Sequence, residues 1–423
     1  MKAVVLAAGE GQRLRPLTLT RPKHMIQVAG KPLLEHLLGA LKKAGFTDIL
    51  MIVNYKAERI IEYFGDGEKF GLKIEYVFQK EIRGTANAFG VAENKVEGDF
   101  LAVYGDLLIS PDVIEAALKL HHSENPAVTM TVLHVERPEQ YGVLETRGTR
   151  VVKIVEKPSA KFAAQKPINA GIYVFSQEIF ETIKQTKDSS RGEQEITDSI
   201  QMLIKAGKKV VAAEISSGDW RDVGRPWDLL EANSRMLMKT KPEILGEVEE
   251  NVHLKDSVFV AENARIRSGT YIEGPAHIGE GSDIGPNCYI RPYTSVGKNV
   301  RIGNACEIKN CIVMDRTHIA HLSYVGDSII GEDCNLGAGT ITANLRLDYK
   351  PVKMIIRDKV VDTGKEKLGV IIGDNVKTGV GTLLMPGVKI GCNSWIGPNV
   401  NVGRDVPPDT ILLIEQNLSQ KSR

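Results

Sequence analysis

Two different patterns of apolar residues follow one another along the chain. Up to about residue 235, short apolar runs alternate with amphipathic segments. The run KAVVLAA predicts a buried strand, and KPLLEHLLGALKKAG predicts a helix because four of its leucines fall on one face. Such alternation predicts an α/β fold with a mostly parallel sheet and helices on both faces. Ligands in such folds bind at the carboxyl ends of the strands.

From residue 254 onwards, an aliphatic residue returns at every sixth position. This period predicts a solenoid of the β-helix type. A small residue usually stands four positions after each aliphatic one, and Cys288, Cys306 and Cys334 occupy that position. We interpret them as small buried side chains rather than metal or redox groups. The aliphatic series comprises Leu254, Val260, Ile266, Ile272, Ile278, Ile284, Ile290, Val296, Ile302 and Ile308, and it resumes between Ile372 and Val402.

The change of pattern predicts a first domain over 1–235, a linker over 236–250 and a second domain over 251–423. A charged segment, 345–368, falls outside the six-residue period. It is either a loop inserted into the solenoid or an excursion that covers an edge.

Composition excludes several classes of protein. The formal net charge of +1 provides no overall field for nucleic acid or an anionic membrane. The N-terminus lacks the apolar core of a signal peptide, and no apolar run is long enough to span a bilayer. The five cysteines form neither a CxxC pair nor a disulfide framework. These features predict a cytoplasmic protein.

A glycine loop, LAAGEGQRLRPLTLTRPKHM, follows the first predicted strand. Gly9 and Gly11 permit close approach of the backbone to phosphate, and Arg13 and Lys23 add positive charge. A tight turn with no ligand explains the glycines equally well. Two acids, Asp106 in YGD and Asp222 in DWRDVGRP, would suit Mg²⁺ if they meet at a polyphosphate.

A second candidate site lies where the six-residue period slips. Arg291 and Lys309 stand eighteen residues apart, which predicts that they stack at one corner of successive coils. Such stacking favours a bound anion, although a solvated corner also fits. The segment HIAHLSYVGD lies in the slip, one coil beyond Lys309, and it brings His321 and Tyr324 towards the same groove. A neutral histidine there suits a general base.

The long motif G-x-G-x-R-L-x-P-L-T-x-x-x-P-K resembles the signature of sugar-1-phosphate nucleotidylyltransferases over about the first 235 residues. The resemblance implies a Rossmann-like domain in which a sugar phosphate attacks the α-phosphate of UTP or dTTP with Mg²⁺ present. Arg13 and Lys23 would act on the phosphates, and Asp106 and Asp222 would hold the metal. The other implied nucleotide contacts are Leu6, Ala8, Gly9, Gly11, Gln79, Gly84, Thr85 and Asp106, and the implied sugar-phosphate contacts are Gly142, Glu156, Lys157 and Asn169.

Residues 286–344 resemble the acetyltransferase half of bacterial bifunctional N-acetylglucosamine-1-phosphate uridylyltransferases, and the longer 345–368 segment resembles archaeal two-domain relatives. This implies a left-handed parallel β-helix of hexapeptide repeats, a homotrimer and acetyl-CoA as a co-substrate. His321 would be the base, and Asn344 would orient the base and the acetyl group. The implied sugar-phosphate contacts are Arg291, Lys309, Tyr324, Asn335 and Lys350, and the implied coenzyme A contacts are Ala338 and Arg404.

Two other functions remain open at this stage. In the first, the chain is a nucleotidylyltransferase whose β-helix serves only trimerisation or regulation. In the second, it is a non-enzymatic scaffold, which the intact glycine loop, Lys23 and both acids disfavour. The sequence separates neither UTP from dTTP nor glucosamine from galactosamine.

Overall fold

The computed structural model describes residues 1–422, and within them the chain divides into two compact units. The first unit contains 1–10, 22–25 and 33–222, and the second contains 11–21, 26–32 and 223–423. The sequence-based boundaries of 1–235, 236–250 and 251–423 are a different division, and they remain a prediction. None of the described helices combines the length and the apolarity needed to cross a membrane.

The first unit is built on a large sheet whose strand order is β5-β4-β1-β6-β11-β8-β12-β10-β9. Strands β5, β4, β1 and β6 are parallel, as is the pair β8 and β12, whereas β9, β10 and β11 introduce antiparallel pairs. The strands of residues 1–222 are β1 Ala3–Ala7, β2 Gln27–Val28, β3 Lys31–Pro32, β4 Asp48–Val53, β5 Lys73–Phe78, β6 Phe100–Tyr104, β7 Leu107–Ile109, β8 Val128–Leu133, β9 Gly142–Arg147, β10 Arg150–Glu156, β11 Ile168–Phe175, β12 Val210–Glu214 and β13 Trp220–Asp222.

Helices cover both faces of this sheet, as the alternating pattern predicts, and a separate apolar cluster fills each interface. The first helix buries the predicted leucine face, with Leu34, Leu37 and Leu41 fully buried. The helices are α1 Leu33–Lys43, α2 Ala57–Phe64, α3 Thr85–Gly90, α4 Pro111–Glu124, α5 Ala160–Ala163, α6 Glu178–Gln185, α7 Ile196–Lys205 and α8 Pro226–Leu237. Helix α8 lies in the second unit.

From Glu243 onwards, the second unit is built mainly on three parallel sheets of the described range, and consecutive strands fall on successive sheets. We call this part of the unit the coil stack and number its faces in chain order. The first face contains Glu243–Ile244, Val258–Val260, Ala276–Ile278, Thr294–Val296, Ile312–Val313, Ile329–Ile330, Ile371–Ile372 and Lys389–Ile390. The second contains Glu247–Val248, Arg265–Ile266, Asp283–Ile284, Arg301–Ile302, His318–Ile319, Asn335–Leu336, Lys377–Thr378, Trp395–Ile396 and Ile411–Leu412. The third contains His253–Lys255, Tyr271–Glu273, Tyr289–Ile290, Glu307–Lys309, Tyr324–Gly326, Ile341–Thr342, Leu383–Leu384 and Asn401–Val402.

The six-residue aliphatic series forms the core of the coil stack, as predicted. Ile266, Ile290 and Ile308 are fully buried, and the small position four residues on is also buried. The cysteines at 288, 306 and 334 lie in this core, and all five cysteines in the described range are free and buried. The prediction of small buried thiols is therefore confirmed.

Segment 345–368 is an insertion into the coil stack, so the first of the two predicted alternatives is correct. Its strands Lys353–Ile356 and Lys359–Asp362 form an antiparallel hairpin. Ile341 pairs with Leu383 on the next coil, forty-two residues later, whereas ordinary coils repeat after eighteen. The buried side chains of Val352 and Met354 hold the hairpin against Gly387.

Candidate active sites

The end of β1 and the end of β6 lie side by side and carry the first candidate site. Gly105 donates its backbone N–H to the carbonyl of Leu6 at 2.9 Å, and a Cβ at Gly105 would lie only 2.5 Å from that oxygen. Glycine is therefore required at this close approach. Lys23 also reaches this edge, because its Cε lies 3.9 Å from the position of a Cβ on Gly9.

Lys23 forms an ion pair with Asp106 at this edge. Burial alone would raise the pKa of Asp106, but the Lys23 ammonium outweighs it and holds that pKa below its usual value, so the carboxylate stays charged. The neighbouring His24 is buried, and its burial together with Lys23 lowers its pKa to about 3, so it is neutral. The site thus offers one cation and one anionic ligand.

The second acid of the predicted metal pair lies beside the first. Asp222 ends β13 and pairs with Leu107 of β7, which directly follows Asp106. Paired Cα atoms of antiparallel strands lie about 4.5–5.5 Å apart, so the two carboxylates start from adjacent positions. The described residues contain no cluster of three or more metal-ligating side chains. Two carboxylates beside a polyphosphate site are a donor set that suits Mg²⁺, which keeps several waters.

The remaining residues of the glycine loop divide between the two compact units. Leu6 and Ala8 are buried in the first unit, where Ala8 accepts a backbone hydrogen bond from Tyr55 at 3.3 Å. Gly11, with φ of 71°, and the exposed Arg13 belong to the second unit.

The residues predicted to contact the base lie together at the end of β5 and the start of α3. Gln79 is buried and donates from Nε2 to Asn87 Oδ1 at 2.8 Å and to the Gly84 carbonyl at 3.5 Å. Gly84 has φ of 121°, and a Cβ there would lie 2.5 Å from the carbonyl of Gln194. Thr85 Oγ1 accepts the N–H of Ile196 at 2.9 Å.

Three of the four residues predicted to hold the sugar phosphate lie close together. Gly142 pairs with Glu156 across β9 and β10, and a Cβ on Gly142 would lie 2.7 Å from Glu156 Oε2. Asn169 donates to the hydroxyl of Tyr173 at 2.6 Å. The Cβ of Asn169 lies 3.6 Å from the position that a Cβ on Gly142 would occupy. The fourth residue, Lys157, is exposed and lies 3.9 Å from Glu156.

Two side chains near Glu156 were not found from the sequence. Thr197 Oγ1 donates to Glu156 Oε2 at 3.3 Å, and Arg191 lies 3.8 Å from its other oxygen. Burial raises the pKa of Glu156, against the opposing effect of Lys157, Arg191 and the Thr197 hydrogen bond. Both missed residues follow Asn169 by more than twenty positions and precede the DWRDVGRP motif, so no local signal connects them to the site.

The second candidate site is centred on Asp327, a residue that the sequence analysis did not single out although it ends HIAHLSYVGD. Its buried carboxylate accepts hydrogen bonds from Lys309 at 2.9 Å, from Asn310 at 2.7 Å and from Asn344. Asn344 also donates to the hydroxyl of Tyr324 at 3.1 Å. Three predicted site residues, Lys309, Tyr324 and Asn344, are thereby held together on the third face.

Arg291 completes this cluster from the preceding coil. Arg291 occupies the position equivalent to Lys309 one coil earlier, and its guanidinium donates to Glu307 at 2.9 Å. The two stacked cations are therefore each matched by a carboxylate, which the sequence argument for a bound anion did not foresee. The Nε of Arg291 is nevertheless buried and has no hydrogen-bond partner among the described residues.

The other predicted residues lie elsewhere on the chain. His321 is exposed on the corner between the second and third faces, where its carbonyl accepts from Ser323 Oγ at 2.8 Å. Asn335 is exposed on the second face, beside His318 of the preceding coil. The remaining three are Ala338, on the corner that follows Asn335, and the exposed Lys350 and Arg404.

The register slips at two corners, of which the first follows Ile308 and the second contains Asp327, the last residue of HIAHLSYVGD. Glu307 pairs with Tyr324, and Tyr324 with Ile341, so these coils repeat after seventeen residues instead of eighteen. The missing residue falls on the corner after the third face, which contains Asn310 and, one coil later, Asp327. Both have positive φ, 50° and 48°, a conformation that Asn and Asp tolerate better than most residues. The two shortened corners therefore break the period, one before HIAHLSYVGD and one at its end.

Comparison with known proteins defines the class first. A family model described as "Nucleotidyl transferase" matches residues 2–239, and a model described as "GMPPB C-terminal domain" matches residues 272–384. A solved structure described as a glucose-1-phosphate thymidylyltransferase from Bacillus anthracis, in complex with sucrose, is 31% identical with a TM-score of 0.51. It covers 55% of this chain and 94% of that one.

Two full-length relatives then give the particular family. "Bifunctional protein GlmU" of Methanocaldococcus jannaschii is 46% identical over 90% of this chain and 89% of its own length. The "bifunctional sugar-1-phosphate nucleotidylyltransferase/acetyltransferase" of Sulfurisphaera tokodaii is 42% identical over 90% of this chain and 92% of its own. The chain belongs to this family of bifunctional sugar-1-phosphate nucleotidylyltransferase/acetyltransferases, as its sequence motifs predict.

Proposed function

We propose that the protein is a bifunctional enzyme of nucleotide-sugar synthesis. The coil stack acetylates the amino group of glucosamine 1-phosphate or galactosamine 1-phosphate, and the first unit carries out transfer of UMP or dTMP to a sugar 1-phosphate. One observation supports acetyl transfer by the coil stack most strongly. Lys309, Tyr324 and Asn344 converge on Asp327 at the corner where the period breaks, next to the unpartnered Nε of Arg291.

At the first site, an oxygen of the sugar phosphate attacks the α-phosphate of the nucleoside triphosphate, and pyrophosphate leaves. Lys23 and Arg13 neutralise the charge that develops on the phosphates, while Glu156 and Asn169 orient the sugar. Asp106 and Asp222 would hold Mg²⁺, which supplies further charge neutralisation. No covalent bond to the protein is required.

At the second site, the amino nitrogen attacks the thioester carbonyl of acetyl-CoA. His321 accepts the proton lost by nitrogen, and coenzyme A leaves as its thiol. Arg291 and Lys309 bind the sugar phosphate, with Tyr324 beside them. Asn344 orients the acetyl group.

We further propose that the coil stack is a left-handed β-helix that assembles as a cytoplasmic homotrimer. His321 and Asn335 are exposed in one chain, and contacts between copies would complete the site around them. The hairpin insertion presents Lys350 on a strongly exposed loop, next to Tyr349, which is 73% exposed, and Leu347, which is fully exposed. This loop is suited to reach a neighbouring subunit.

The test is release of thiol from acetyl-CoA in the presence of glucosamine or galactosamine 1-phosphate. We expect release by the wild type and a loss of about 10²- to 10⁴-fold in His321→Ala. His318→Ala, an exposed histidine on the second face, is the matched control and should keep full activity. Formation of nucleotide sugar from UTP or dTTP should persist in both variants.

A different result would favour a protein with one activity. If the wild type makes nucleotide sugar but releases no thiol with either amino sugar, the acetyltransferase assignment is wrong. The coil stack would then serve assembly alone.

A further inference from the structure

The loop that carries Lys23 is flanked by two segments that belong to the second unit. Residues 11–21 precede it and residues 26–32 follow it, and both share a compact unit with the coil stack. The residues between them, 22–25, belong to the first unit. The chain therefore enters and leaves the Lys23 segment from elements grouped with the coil stack.

Arg21 anchors the upstream segment. Its side chain is buried, and its guanidinium forms ion pairs with Glu332 and Asp374 from neighbouring coils. Thr20 Oγ1 donates to the same Asp374 carboxylate at 2.6 Å. A buried arginine shared by two carboxylates has a fixed position, because leaving any of these charges unpaired is costly.

A second contact fixes the same segment further upstream. Cys392 Sγ donates to the carbonyl of Pro16 at 3.5 Å, and the Cys392 side chain is buried. Residues 16–21 therefore contact the coil stack at both of their ends.

Asn233 and His277 anchor the downstream segment. Asn233 is fully buried; its Oδ1 accepts the N–H of Ala29 at 2.8 Å, and its Nδ2 donates to the carbonyl of Tyr293 at 2.9 Å. The His277 ring lies against Gly30, where a Cβ would come within 2.2 Å of Nε2. The β2–β3 turn is therefore held as firmly as the upstream segment.

We propose that Arg21, through Asp374 and Glu332, is a positioning residue for nucleotidyl transfer: the coil stack fixes the segment that carries Arg13 and leads into Lys23. This inference rests on the proposed nucleotidylyltransferase function. Arg21 lies two residues before Lys23, a span of at most about 7 Å of extended chain. Misplacement of a reactive group by about 1 Å can reduce the rate about 10²-fold, so the anchor controls the chemistry without touching substrate.

The experiment compares Asp374→Asn and Arg21→Lys with Arg316→Ala in the full-length protein. Arg316 pairs with Glu332 and Asp333 on the exposed side of the same coil, so its removal is a matched control. We expect kcat for nucleotide-sugar formation to fall about 10- to 100-fold in Asp374→Asn, with KM for the sugar phosphate changed less than about threefold. Arg21→Lys keeps the positive charge but loses the bidentate geometry of the guanidinium, so its kcat should fall less than that of Asp374→Asn. Arg316→Ala and the acetyl-transfer rate of all three variants should match the wild type.

Hydrogen exchange provides a readout that does not depend on activity. In Asp374→Asn, but not in Arg316→Ala, the amides of Leu14 and Leu19, which donate to carbonyls of their own segment, should exchange faster. Unchanged exchange in Asp374→Asn would overturn the inference, and so would an equal loss of both enzymatic activities. A wild type that lacks nucleotidyl transfer would refute the proposed function, while the exchange result would still decide whether the segment is anchored.

Discussion

In the first unit, the candidate site gathers side chains that lie far apart in the chain, whereas in the coil stack it gathers them from successive coils of one face. Asp106 and Asp222 lie in adjacent positions because β7 pairs with β13, and Lys23 reaches Asp106 from a separate loop. Arg291 stacks on Lys309 because residues eighteen apart are in register, and Tyr324 stacks on Glu307, seventeen residues before it. The first arrangement depends on the topology of a sheet, and the second on the length of a repeat.

This difference shows how each architecture makes room for chemistry. The α/β sheet offers strand ends, where glycines at 9 and 105 allow the backbone and a lysine to come close. A regular coil offers no such edge, since each side chain is covered by its equivalent one coil away. The coil stack becomes irregular where it needs a site: two corners lose a residue, and the next coil accepts the hairpin insertion.

The largest expected effect tests whether the two candidate sites work independently. Lys23→Ala removes the cation that pairs with Asp106, and we expect nucleotide-sugar formation to fall about 10²- to 10³-fold. Thiol release from acetyl-CoA should be unchanged. Lys187→Ala, at an exposed lysine of the same unit, is the control and should lose neither activity. A parallel fall in both activities of Lys23→Ala would show that the two sites are not independent.

A smaller effect tests the shortened corner. Asp327 holds Lys309, Asn310 and Asn344, and a hydrogen bond to a charged group contributes roughly 1.5–3 kcal/mol. Asp327→Ala should therefore lower kcat/KM for acetyl transfer by roughly 10- to 100-fold. Glu307→Ala removes a more exposed partner that holds only Arg291, and its effect should stay below about fivefold. Equal effects of the two variants would mean that Asp327 has no special role in organising the site.

The regular parts of the coil stack could be predicted from the sequence because one period determines burial, stacking and the small inward positions. Ile266, Ile290 and Ile308 take their predicted places for this reason. The contacts at the shortened corners could not be predicted in the same way. The aliphatic spacing falls from six to five at these corners, but that spacing does not show that Lys309 and Asn344 meet at Asp327.

The first unit presents the opposite case. Its motif locates Lys23 and Asp106, and alternation of strands and helices locates the sheet that brings them together. Arg191 and Thr197 reach Glu156 only through tertiary packing, so no spacing reveals them. The grouping of residues 11–21 with the coil stack is equally hidden, because the run that contains Arg21 carries no signal of what it packs against.

The smallest expected effect concerns the stability of the sugar-phosphate site. Burial raises the pKa of Glu156, so folding favours its protonated form. The contribution of this protonated group to the free energy of unfolding is fully present below the ordinary carboxyl pKa of about 4.3. It is lost as the pH rises through the raised pKa of the folded protein. When Glu156 is ionised, its partial burial therefore lowers the stability of the fold, as is common for active-site residues.

Glu156→Gln removes this cost while keeping the shape of the side chain. At neutral pH we expect the midpoint of thermal unfolding, followed by far-ultraviolet circular dichroism, to rise by about 1–3 °C. The difference should disappear near pH 4, where the wild-type carboxyl group is largely protonated. Glu145→Gln is the control, because Lys166 lowers the pKa of that exposed carboxylate and the substitution should not stabilise the fold. A midpoint that falls at neutral pH would mean that Lys157 and Arg191 outweigh burial, so that the charge of Glu156 supports the fold of the first unit as well as its site.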